Sequence, residues 1–269
     1  METSGKTNFK RSGVNEKIAA FICGVLLLII LLITSAQAMC YWIPGWWRRE
    51  YAKYDTPQYV TGEMSLDDAV YITEQMLEYC IGRLDTLEDT EATIDGVTAP
   101  FFTEREKLHL QDCRNIFLSC IRFRTISILI IIVFVVAMFY SISRRKEEAS
   151  ESGTPPSKAS VFSDMFRTLA KGYLIALAVI MVLTVIIVAI GLHDFDFLFT
   201  EFHHVFFDND LWLLDPRRDN LVNIMQESVF ADAAVTIAVI WVICAAILAG
   251  VSAWILHHSS VYSQESADL

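Results

Sequence analysis

Residues 172–192 read GYLIALAVIMVLTVIIVAIGL, without one Asp, Glu, Lys, Arg or His. A hydrocarbon core of about 30 Å is crossed by about 20 helical residues. Within it a single segment can pair all its backbone N–H and C=O groups only as a helix. Three further stretches read the same way, at 18–39, 125–143 and 233–256. The one at 125–143 is the shortest, and it can borrow from 116–123 if Arg122 and Arg124 reach outward to headgroups. These blocks account for a 269-residue chain that is 54% hydrophobic, with a mean hydropathy of +0.42. Such a composition excludes a disordered chain, a collagen-like chain and a small disulfide scaffold. A net charge of -11, with no basic run longer than Arg144-Arg145-Lys146, argues against nucleic acid as a partner.

The expected fold class is therefore mostly α, a polytopic membrane protein with four transmembrane helices and a small extracytoplasmic α+β domain. Basic residues in short loops set the orientation. Segments 1–17, 144–171 and 257–269 hold ten Lys and Arg against eight acids, whereas 40–124 and 193–232 hold eleven against twenty-four. The first three are expected to be a cytoplasmic N-terminus, a flexible Pro- and Ser-rich linker and a cytoplasmic tail. The other two are a large outer loop domain and a short Phe- and His-rich outer loop. The first apolar segment also reads as a cleavable signal peptide, because Ala36-Gln37-Ala38 follows a Lys-rich flank. Its apolar run is long for that, and either way the next loop lies outside. Six cysteines show no CxxC or CxxH spacing, so a structural zinc site has no support. A disulfide in the outer loop can be entertained but not placed.

The outer loops must hold the chemistry. The first opens on Tyr41, Trp42, Trp46 and Trp47, as an interfacial aromatic belt would. The Tyr-rich residues 48–60 read as extended or hairpin structure. Ser65 then caps a helical pattern running to Ile81, with Gly82 as its stop, and 85–96 reads as an acidic loop. Thr103-Glu104-Arg105-Glu106 is a capping box, starting a helix that can run on into the second span. Glu106, His109 and Asp112, each three residues from the next, share one face of it. An Asp beside a His can hold its tautomer and favour its charged form. A solvated face with an incidental His fits the same pattern. A straight helix would also lift His109 about 24 Å above Thr125.

The second outer loop runs from Phe195 to Phe207 with six Phe and the pair His203-His204, then passes through Asp208, Asn209, Asp210 and Trp212 to Asp215-Pro216. It would lie in the interface plane or re-enter. The residues fit an interfacial anchor with the His pair as polar tips, and equally a ring of Phe that holds acyl chains and keeps a neutral His available as a base. His203 and Asp208 also satisfy H-x4-D, a spacing that arises easily by chance. A metal site from His109, Asp112, His203, His204 and Asp208 has no fixed-spacing motif behind it. No Gly-x-Ser-x-Gly and no activated Cys is present. A transporter is disfavoured because the spans hold no ionisable residue. A non-enzymatic membrane protein that binds an envelope partner through its acidic outer loops remains open.

The run from Glu104 to Asp112, E-R-E-x-x-H-x-x-D, resembles a motif of a bacterial four-helix membrane family that includes the lipoprotein intramolecular transacylase Lit. Phe202-His203-x-x-Phe206-Phe207 followed by Asp210-x-Trp212-x-x-Asp215-Pro216 resembles that family's second motif, in the expected loop and order. The sequence departs from the pattern at Cys113-Arg114, where the family often has Val-Lys, and at His204, so the family histidine is carried onto His203. The resemblance implies a bacterial cell-membrane enzyme of the Gram-positive type with its site on the extracytoplasmic side. Its substrate would be a diacylglyceryl lipoprotein with a free α-amine. The sn-2 acyl chain would move to that amine, giving the N-acyl, S-monoacylglyceryl (lyso) form. No cofactor or metal is implied, since an ester becomes a more stable amide. His109 and His203 would be catalytic. Glu106, Asp112 and Arg105 would support them, and Phe202, Phe206, Phe207 and Trp212 would bind the acyl chains.

Overall fold

A computed structural model describes residues 2–60, 62–150 and 154–265. Four long helices carry the apolar stretches: α1 (Glu2–Tyr41), α4 (Glu104–Ala149), α5 (Lys158–His193) and α8 (Glu227–Glu265). Between them lie α2 (Trp46–Tyr54), α3 (Leu66–Cys80), a hairpin of β1 (Glu91–Ile94) and β2 (Val97–Pro100), α6 (Phe195–Phe206) and the single turn α7 (Leu221–Ile224). Among the described residues the chain is thus mostly α, with four membrane helices and one small two-stranded sheet. It divides into two units. A membrane unit comprises Met1–Leu32, Arg124–Ala189 and Trp241–Leu269, and a loop unit comprises Ile33–Phe123 and Ile190–Ile240.

In the membrane unit small residues set how closely helices approach. A Cβ on Gly172 would lie 2.4 Å from the Ala20 carbonyl carbon, and one on Gly24 would lie 2.9 Å from the Ala176 Cβ. Lipid supplies no hydrophobic drive between helices, so this backbone contact and polar ties hold them. Trp241 Nε1–H donates to the Leu28 carbonyl at 2.9 Å and Tyr173 O–H to the Ala245 carbonyl at 2.8 Å. Near one end the buried Glu16 meets Arg145 at 2.9 Å and accepts from Ser141 Oγ at 2.9 Å. The remaining apolar surface, such as Val182 and Leu183, is exposed, as lipid-facing side chains are.

The loop unit has its own core, built on Trp46, Tyr51, Ile72, Met76, Phe101, Leu110, Leu221 and Val229. Ser65 caps α3 by accepting from the Asp68 N–H at 3.0 Å, and α3 turns Ala69, Ile72, Met76 and Leu77 inward. Gly82, at φ +79°, ends it in the left-handed region. Three expectations are corrected. Residues 48–60 are not extended: 46–54 form α2, because Trp47, Tyr51 and Tyr54 recur at i, i+4 and i+7, and this period outweighs the strand preference of aromatic residues. The acidic loop at 85–96 ends in a hairpin, whose two-residue turn Asp95-Gly96 has φ of +53° and +77° as that turn requires. The linker at 144–171 is mostly helical, since α4 continues to Ala149 and α5 starts at Lys158. Its centre, 151–153, lies outside the described residues, as does 266–269 of the tail.

Candidate active site

The site lies wholly in the loop unit and is built from the first turns of α4 upward. Thr103 and Glu106 form the capping box: the Glu106 carboxylate accepts from the Thr103 N–H at 2.6 Å, and Thr103 Oγ1 accepts from the Glu106 N–H at 3.3 Å. Glu106 is fully buried, and its other oxygen accepts from the Leu221 N–H, on the far side of the second loop. Thr103 Oγ1 also donates to Asp219 at 3.1 Å, and Asp219 accepts from the Asp215 N–H at 2.9 Å. Asn223 ties the same loop to itself through the Pro216 carbonyl at 2.8 Å. The loop that follows α6 is therefore clipped to the helix that carries His109. Burial pushes the Glu106 carboxyl above its ordinary range, against the lowering effect of the two amides that it accepts from.

α6 brings the second histidine. Asp194 caps it by accepting from the Phe197 N–H at 2.9 Å. One turn before its end, His203 Nδ1–H donates to the Phe199 carbonyl at 2.7 Å. That carbonyl can only accept, so the proton of the neutral ring sits on Nδ1 and the lone pair on Nε2. The rings of His109 and His203 stand 6.3 Å apart between centroids and are only 8% and 7% exposed. Phe207 packs on both, at 5.1 and 5.6 Å. Trp212 stacks on His203 at 4.7 Å, and Phe199 lies 4.1 Å from it. His204 is exposed, with its edge toward Trp212 at 5.5 Å. His109 gains its burial from these partners within the loop unit, although it sits far along α4 from the apolar span.

Burial disfavours the charged form of both rings. Burial drives His109 down to about 4, and the neighbouring His203 and Arg105 push the same way, while Asp112 opposes them. Burial also lowers His203, against the Phe199 carbonyl, which favours its charged form. Asp112 does not hydrogen-bond His109; it accepts from Asn209 Nδ2 at 2.9 Å. Arg105 donates to the Asp210 carbonyl. Of the four expected acyl-binding side chains, Phe207 and Trp212 wall in the histidines. Phe202 lies edge-on to His203 at 5.5 Å and pairs with Phe206 at 4.7 Å, and both of these Phe side chains are half-exposed. Sequence reasoning missed the Phe199 carbonyl, Asn209, Asp219 and Cys113, whose Sγ is 3.6 Å from His109 Nε2. Among the described residues no three His, Cys, Asp or Glu side chains gather as a metal ion would need.

Fold and site define a multi-pass membrane protein with two neutral, buried histidines from separate segments in an aromatic enclosure. The family model described as lipoprotein intramolecular transacylase Lit matches residues 21–230. The chain belongs to that family: it is an acyltransferase, and its reaction is intramolecular acyl transfer on lipoproteins. Its fold is similar to the in meso structure of the membrane integral lipoprotein intramolecular transacylase Lit from Bacillus cereus. That likeness has a TM-score of 0.61 at 15% identity, over 93% of this chain and 99% of that one. Two histidine-substituted variants of the same Bacillus cereus protein, to Arg and to Ala, give 0.66 and 0.65 at 14% identity. They cover 96% and 94% of this chain and 99% of each of theirs. No curated protein matches the chain.

Proposed function

We propose that the chain moved is the sn-2 acyl group of a diacylglyceryl-Cys. It passes directly to the α-amine of the same cysteine, between His109 and His203, to give the N-acyl, S-monoacylglyceryl product. The observation that carries this reading is the approach of two buried, neutral rings within one apolar enclosure. An α-amino group has a pKa of about 7.7–8.0, so part of it is free base near neutrality. Its lone pair attacks the ester carbonyl carbon and the π pair moves onto oxygen. The nitrogen becomes acidic as the C–N bond forms, and His203 Nε2, which bears the lone pair, takes its proton. The carbonyl then re-forms, and the acyl C–O bond breaks with its electron pair left on the glyceryl oxygen. That oxygen takes the proton back. Protons balance, no acyl-enzyme forms, and an ester has become a more stable amide.

In this reading Glu106, Arg105 and Asp112 support the site by holding residues 207–225 against α4, through Leu221, Asp210 and Asn209. Phe207 and Trp212 keep water from the rings. The half-exposed Phe202 and Phe206, with membrane lipid beyond them, receive the acyl chains. Both termini lie on the cytoplasmic side and the site on the other, in line with the basic inner segments and the acidic outer ones. The test is a reporter lipoprotein whose sn-1 and sn-2 chains carry different isotopes. Fragment ions should show only the sn-2 label on nitrogen with the total mass unchanged. The sn-1 label on nitrogen would overturn the assignment.

A further inference from the structure

We propose that Cys113 is a positioning residue: its S–H donates to His109 Nε2, and this leaves Nδ1–H as the donor that meets the oxyanion of the tetrahedral intermediate. The inference rests on the reading of His109 and His203 as the reacting pair. Two observations point to it. Cys113 Sγ lies 3.6 Å from His109 Nε2, one helical turn on along α4. His109 Nδ1 is buried and has no hydrogen-bond partner among the described residues, in a ring that is 8% exposed. A buried ring nitrogen with nothing to bond is costly unless a ligand completes it.

The direction of the contact follows from donor and acceptor strengths. Thiol sulfur accepts poorly, whereas the lone pair of a neutral imidazole accepts well. The thiol is also firmly protonated, since burial pushes it up to about 12, so its hydrogen needs an acceptor. S–H to Nε2 satisfies both groups and puts the ring proton on Nδ1. The two histidines then differ in kind. At His203 the Phe199 carbonyl holds the proton on Nδ1 and frees Nε2 to carry a proton from nitrogen to oxygen. At His109 the partnered atom is Nε2 and the free atom is a donor. A neutral imidazole N–H is too weak an acid to give its proton away, but it can hydrogen-bond a developing negative oxygen. No further proton enters the balance: His203 takes one from the amine and returns it to the glyceryl oxygen, while His109 stabilises the charge between those steps. The depressed pKa of His109 suits this role, because the ring stays neutral across the working range.

The test combines ring tautomer with kinetics. Protein labelled with ¹⁵N-histidine, purified in detergent, is assigned at His109 with His109→Gln and compared with Cys113→Ala and Cys113→Ser. In the unaltered chain the His109 proton is expected on Nδ1. In Cys113→Ala it should move in part to Nε2, with kcat falling roughly five- to tenfold, the weight of about one hydrogen bond, and KM unchanged. Cys113→Ser keeps a donor and should restore both the tautomer and kcat. A proton on Nε2 in the unaltered chain, or a Cys113→Ala enzyme with full kcat, would overturn the inference and leave the two-histidine reading standing. Full transfer by the double variant His109→Gln/His203→Gln would instead remove the reading beneath it. The tautomer is read without substrate, so the two failures are separate.

Discussion

Replacing Glu106 with Gln keeps the shape of the side chain and removes its charge. The carboxylate is fully buried and accepts two backbone N–H groups, from Thr103 at 2.6 Å and from Leu221 across the loop. A Gln amide offers one oxygen, so its NH2 must face one of those donors. One charge-assisted bond is lost, worth about 1.5–3 kcal/mol, and a buried N–H is left unpaired. Relief of the burial that raises the Glu106 carboxyl offsets part of this. The expected net loss is about 2–3 kcal/mol, which lowers Tm by about 5–10 °C for a protein of this size. Activity should fall further than stability, because the released loop also carries Trp212 and Phe207, which pack the histidines. Thermal unfolding in detergent and initial transfer rates on the purified variant measure the two effects. A Tm within 1 °C (roughly 0.3 kcal/mol by the same conversion) together with full activity would refute the claim that Glu106 clips the second loop to α4.

Other consequences can be checked independently. The Glu106 carboxyl is raised in the folded state, so its contribution is complete below its ordinary 4.5 and is lost as pH rises through the folded value; the Tm advantage of the natural chain over Glu106→Gln should widen as pH is lowered toward 4.5. His109 stays neutral down to about 4 rather than its ordinary 6.5, so its ring ¹⁵N shifts should stay constant between about pH 7 and pH 5; a titration near 6.5 would mean an ordinary histidine. Gly172→Ala puts a methyl 2.4 Å from the Ala20 backbone and should cost about 1–3 kcal/mol in thermal stability, with the activity of the folded fraction unchanged. Trp212→Ala removes the ring stacked on His203 and should lower kcat about tenfold or more, the scale of a misplaced proton carrier; an unchanged kcat would show that Trp212 plays no part in holding that ring.

Features set by local chemistry were legible in the sequence. The four spans follow from uninterrupted apolar length, and the caps at Ser65 and Thr103 from hydroxyls three residues ahead of an acid. The two histidines stood out through their surroundings, one on a capped helix and one among Phe rings. At α2 the strand preference of the aromatics points one way and their i, i+4, i+7 spacing the other, and the spacing decides the element. The Asp95-Gly96 hairpin is legible as a turn dipeptide. What the sequence could not show depends on contacts between distant residues. Glu106 meets Leu221 from 115 positions away, and Asp112 bonds Asn209 rather than the histidine beside it on α4. The i to i−4 bond from His203 to the Phe199 carbonyl was local, but it could be read only once 195–206 was known to be a helix.

The most direct test of the account is the N-terminal peptide of a reporter lipoprotein, made in a bacterium whose lipoproteins carry diacylglyceryl-Cys with a free α-amine. With this chain present, mass spectrometry should show one acyl group moved to nitrogen at unchanged total mass. With His203→Ala or His109→Ala, at equal protein level in the membrane, the peptide should keep both acyl groups on glycerol. Full N-acylation by either variant would contradict the claim that the paired histidines carry the transfer.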